Sequence, residues 1–74
     1  MVSYDKEKQE LESLPGQIEQ LEQSIQQIHD EMAKPEFFKQ EGAVIATRQQ
    51  ELKSLETELE TAYARWEELE QLAP

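Results

Sequence analysis

Apolar residues recur along this chain at alternating steps of three and four. With Tyr4 as position a of a heptad, the a positions are Tyr4, Leu11, Ile18, Ile25 and Met32. The d positions are Glu7, Leu14, Leu21 and Ile28. A second run starts at Ile45, with Ile45, Leu52, Leu59, Trp66 and Ala73 at a and Arg48, Leu55, Ala62 and Leu69 at d. Sixteen of these 18 positions are apolar, against 36% of the whole chain, so composition alone does not produce the pattern. A period of 3.5 residues makes paired helices supercoil around a shared seam. The period-2 alternation of a half-buried strand is absent.

The two runs are separated by Ala33-Lys34-Pro35-Glu36-Phe37-Phe38-Lys39-Gln40-Glu41-Gly42. Pro35 disfavours helix at Lys34 and lacks a backbone donor. Gly42 relaxes the backbone before the second run. A short link between long helices makes them antiparallel neighbours. The expected fold is therefore all-α, a two-helix antiparallel coiled-coil hairpin in which residues 1–74 form a single domain. Its helices are expected near 4–33 and 42–72, with a turn at 34–41. Each arm would be about 45 Å long at 1.5 Å per residue.

Pairing residues whose numbers sum to 73 sets Ile28 against Ile45, Ile18 against Leu55, Leu14 against Leu59 and Tyr4 against Leu69. The register one heptad away, summing to 80, calls for a much longer turn. In the first register Glu7 faces Trp66 and Arg48 faces Ile25. Each charged group would extend to water along its apolar stem.

Pro15-Gly16 interrupts the first run with a proline distortion expected at 14–16. Proline inside a helix removes a hydrogen bond and crowds the preceding turn. The heptad nevertheless passes through without losing a residue, which favours a local distortion without chain reversal. The alternative is a break and restart, with Ser13 as cap and Pro15 in the first turn. Ala62 and Tyr63 are expected beside the distortion.

Composition narrows the function. A chain of 74 residues holds one domain at most and buries too little surface for a large enzyme core. No apolar run approaches the ~20 residues of a membrane-spanning helix, so no membrane partner is expected. Met1 to Asp5 has no signal-peptide pattern. The absence of cysteine removes disulfides and Cys-based zinc sites, and it fits a cytoplasmic protein. No catalytic constellation appears. His29, Asp30 and Glu31 point in different directions around a helix, so they form no metal cluster. No glycine-rich phosphate loop is present, so this chain does not hydrolyse nucleotide by itself. A monomeric, non-catalytic hairpin without metal or cofactor is expected.

Charge sharpens the picture further. Seven bases and 17 acids give a net charge of −10 and an isoelectric point near 4.4. Taken as an average, this opposes electrostatic capture of nucleic acid. From Lys34 to Lys53, however, four bases (Lys34, Lys39, Arg48, Lys53) meet three acids (Glu36, Glu41, Glu51), for a net charge of +1. The rest of the chain carries −11. Any phosphate contact is thus expected near the turn. The candidate contacts are Lys34, Phe37, Phe38, Lys39, Arg48 and Lys53. The two phenylalanines either cap the open end of the seam over Met32, Val44 and Ile45, or present an aromatic ring to a partner or an unstacked base. Trp66, on the seam, reads as a core anchor.

These strings resemble a known domain. Ser3-Tyr4 followed by Glu10-Leu11-Glu12-Ser13-Leu14-Pro15 is similar to the opening of the C-terminal domain of ABC-F ATPases of the Uup type. Ile18-Glu19-Gln20-Leu21-Glu22, the turn string Pro35-Glu36-Phe37-Phe38, and Leu55-Glu56-Thr57-Glu58-Leu59-Glu60 continue the likeness. Arg65-Trp66-Glu67-Glu68-Leu69-Glu70 completes it across nearly the whole chain. The resemblance implies a C-terminal fragment of a larger ATPase with two ATP-binding cassettes, where ATP and Mg are bound upstream. It also implies partners: the cassette domains, and DNA, RNA or the ribosome. This sequence departs from the pattern in having few bases, which implies weak nucleic-acid affinity for the isolated domain. Two alternatives remain. One is a purely structural protein-interaction hairpin. The other is the tRNA-contacting arm of valyl-tRNA synthetases, which also pairs Leu/Glu-rich helices around a Pro-x-Phe turn.

Overall fold

Asp5 and Glu7 lie in the first turn of the first helix, where a negative charge complements the helix dipole. From there α1 runs Tyr4–Met32 in a computed structural model that describes residues 4–72. A 3₁₀ turn, Phe37–Lys39, leads into α2, Gly42–Leu72. The helices pack against each other in an elongated hairpin of 53 × 19 × 15 Å.

The first helix is continuous through Pro15. Ser13 does not act as a cap, because its hydroxyl donates to the Glu10 carbonyl at 2.9 Å rather than accepting from an N–H. Gln17 Nε2 in turn donates to Ser13 Oγ at 3.2 Å. The break-and-restart alternative is therefore not what forms. Ala62 is buried in one cluster with Leu14 and Ile18, next to the proline as expected. Tyr63 is instead exposed, and its hydroxyl donates to Glu22 across the seam at 3.0 Å.

The link begins one residue earlier than expected, since α1 stops at Met32. The Ala33 N–H still donates to the His29 carbonyl, while Lys34 tightens onto Glu31. Pro35 prevents further helix. Glu41 then opens α2, its carbonyl accepting from Val44 at 3.0 Å and Ile45 at 3.2 Å.

Among the described side chains, every heptad a and d position is buried or half-buried. The core proper is Leu14, Ile18, Ala62 and Leu69, with Leu11, Leu21, Leu59 and Trp66 packed against it. Trp66 is thus a core anchor. Ile28 lies nearer the turn and is 2% exposed. The side chains of Tyr4 and Ala73 lie outside the described residues.

The stagger of the arms differs from the register summing to 73. That register would place Tyr63 opposite Glu10, twelve residues from its bonded partner Glu22. Twelve residues span about 18 Å of helix axis, beyond the reach of a tyrosine and a glutamate together. Around Tyr63, α2 is therefore displaced toward the register summing to 80, in which Glu22 is only about 7.5 Å along the axis. Arg48 likewise does not reach for solvent. Its Nε donates to Glu31 Oε2 at 2.7 Å, and its Nη1 to Glu51 Oε2 at 2.6 Å. A guanidinium on the seam is better served by two carboxylates than by an apolar stem to water.

Candidate nucleic-acid interface

The link folds into a small bonded unit. Phe37 N–H donates to the Lys34 carbonyl, Lys39 N–H to Glu36, and Gln40 N–H to Phe37. The Gln40 side chain adds a second bond to the Phe37 carbonyl at 3.1 Å. These bonds hold two adjacent rings in opposite environments. Phe37 is 3% exposed and Phe38 is 60% exposed. Their centroids are 4.9 Å apart and their planes 84° apart, an edge-on arrangement favoured by ring quadrupoles. The pair thus does not act as a unit: one ring is buried and the other faces solvent.

The six candidate contacts therefore divide. Lys34, Phe38 and Lys39 are exposed together on the link. Lys53 is exposed as well, but eleven residues into α2, about 16 Å along the axis from Gly42. Phe37 is withdrawn into the fold. Arg48 is held by Glu31 and Glu51, which raise its pKa by hydrogen bonding. Two of its three guanidinium nitrogens are thus already donating to carboxylates. Among the described residues, Lys34, Lys39 and Lys53 take part in no ion pair.

The opposite end of the hairpin is clamped by charge. Arg65 binds both oxygens of Glu10 and also Glu68. Periodicity did not reveal this bridge or the one at Arg48, because a repeating pattern does not say which residue faces which. Beside the link, an open depression is lined by Glu31, Phe37, Gln40, Val44, Thr47 and Arg48. Among the described residues, no group of His, Asp or Glu side chains is arranged to hold a metal ion, and no helix is long and apolar enough to cross a membrane.

These features define a helical-hairpin module with an apolar seam, ion-paired flanks and one exposed ring at its turn. The chain belongs to the ABC transporter C-terminal domain family, whose pattern matches residues 3–71. It is 46% identical over 70 residues to two Haemophilus influenzae proteins, described as "ATP-binding protein Uup" and "ATP-binding protein Uup-like". The match covers 95% of this chain but only 11% and 15% of those relatives. No solved structure matches the chain. The family assignment displaces the resemblance to the synthetase arm.

Proposed function

We propose that this hairpin is the non-catalytic C-terminal accessory domain of an ABC-F-type ATP-binding protein, and that its turn contacts DNA or RNA, free or in the ribosome. ATP and Mg would be bound by cassette domains elsewhere in such a parent, and the hairpin would work alongside them in the cytoplasm. One observation carries the nucleic-acid part of the reading. The surface is divided into a strongly acidic stalk and a near-neutral turn, where Lys34 and Lys39 lie exposed with Phe38. The stalk repels phosphate and leaves the turn as the surface able to approach it.

The test is a titration of isotopically labelled hairpin with DNA and RNA at low and moderate salt. Resonances of residues 34–41 are expected to shift, and the affinity to fall as salt rises. Unmoved turn resonances, or shifts indifferent to salt, count against phosphate contact. They favour a hairpin that only orients the cassettes or binds protein.

A further inference from the structure

The turn carries too little charge to bind nucleic acid through phosphates alone. Between Lys34 and Gly42, two bases (Lys34, Lys39) are balanced by two acids (Glu36, Glu41). Arg48 is already occupied by Glu31 and Glu51. Two phosphate contacts on a single strand give a salt slope of only about −1.4. A duplex binder of ordinary strength makes several times as many such contacts. Whatever holds the turn to nucleic acid therefore includes a non-ionic contribution.

Phe38 is the group able to supply it. It remains 60% exposed although its neighbour is almost fully buried. The edge-on contact with Phe37 and the bonded 3₁₀ turn beneath hold it in place, so little freedom remains to be lost on binding. A duplex closes its base faces against one another, whereas an unpaired base has a face free for a ring. We infer that Phe38 stacks on an unpaired nucleobase while Lys34 and Lys39 engage the flanking phosphates. The hairpin is then a reader of single-stranded or unstacked nucleic acid rather than of duplex. This inference rests on the nucleic-acid reading above and specifies its substrate class.

The experiment is fluorescence anisotropy with a labelled oligothymidylate and with a duplex of equal length, on the chain and its variants. The chain is expected to prefer the single strand. Phe38→Ala should weaken single-strand binding by about tenfold and leave the salt slope unchanged, because stacking releases no counterions. Phe38→Tyr, which keeps the ring, should retain the affinity. Lys34→Glu with Lys39→Glu should flatten the salt slope instead. Phe38 is exposed, so its variants are expected to keep the helical circular dichroism of the parent. If Phe38→Ala binds single strands as the parent does while the lysine variant fails, stacking is refuted and phosphate contact at the turn stands. Duplex preference with Phe38→Ala unaffected has the same consequence. If no nucleic acid binds even at low salt, both readings fall.

Discussion

Arg65 of α2 grips Glu10 of α1 through two parallel hydrogen bonds, Nε to Oε2 at 2.6 Å and Nη2 to Oε1 at 2.9 Å. Its Nη1 is left for Glu68, at 2.8 Å. A planar guanidinium matches a carboxylate in this two-point geometry, and an ammonium does not. The bridge joins the arms far from the turn, where the chain itself supplies no connection.

The Arg65 bridge makes stability depend on pH in a defined direction. The hydrogen bond from Arg65 holds the Glu10 carboxyl below its ordinary value of 4.5. A depressed folded-state pKa contributes stability that is present above the unfolded value and lost as pH falls through the folded one. Protonation of the many other carboxylates relieves self-repulsion over the same range and masks the effect. The difference between parent and Glu10→Gln isolates it. The parent is expected to melt a few degrees higher at pH 7 and to lose that advantage below pH 4.5. Parallel melting curves at pH 7 and pH 3 check this, and an unchanged gap at pH 3 counts against the bridge.

Tyr63 reports the stagger of the arms. Its bond to the Glu22 carboxylate raises the phenol pKa above 10.0. In a Tyr4→Phe background, absorbance titration should show Tyr63 ionising later than an ordinary tyrosine. Glu22→Gln should bring it back down. The stabilisation from this bond is present below the ordinary phenol value and lost as pH rises through the folded one. An ordinary titration curve for Tyr63 would count against its bond to Glu22.

Gly16 and Pro15 weaken α1 for separate reasons. A Cβ added at Gly16 meets nothing within 4 Å, and its φ is not positive. Gly16→Ala therefore gains helix propensity without a clash, by about 0.5–1 kcal/mol. The melting temperature should rise by about 2–8 °C for a chain of this size. Pro15→Ala should restore a backbone donor and also raise it, by up to about 3 kcal/mol in stability. A lower melting temperature for Pro15→Ala would show that the arms pack around a proline-shaped bend.

Phe37 and Phe38 should respond in opposite ways to the same truncation. Phe37 is 3% exposed, and Phe37→Ala should cost about 3–5 kcal/mol, enough to loosen the turn end of so small a fold. Phe38→Ala at the surface should change stability by no more than about 0.5 kcal/mol. Thermal melts of the two variants side by side distinguish a core ring from a recognition ring. Equal losses would place Phe38 in the core.

Much of this fold is legible in the chain. The heptads assign Leu14, Ile18, Ile28 and Leu69 to the interior, and all four are buried. Among the described residues off the seam, only Glu10, Ser24, Glu31, Phe37 and Arg65 are buried or half-buried. Three of those five take part in cross-arm ion pairs. Their partners follow from the stagger of the arms, which a repeating pattern cannot convey. The turn was legible as a break and as a place of lower acidity. Which of its two adjacent rings turns inward depends on the 3₁₀ geometry at Phe37–Lys39.

The sequence by itself determined that two helices form, which face of each is apolar, where the chain reverses, and that acid crowds the stalk. These are local properties, set by periodicity, proline and charge count. Only the tertiary structure decided how far one arm slides along the other. Moving a heptad seam by seven residues restores the same layers, so the hydrophobic pattern is nearly indifferent between registers. Contacts with no periodicity settle the choice: Tyr63 on Glu22, Arg48 on Glu31, and a single phenylalanine folded beneath the turn.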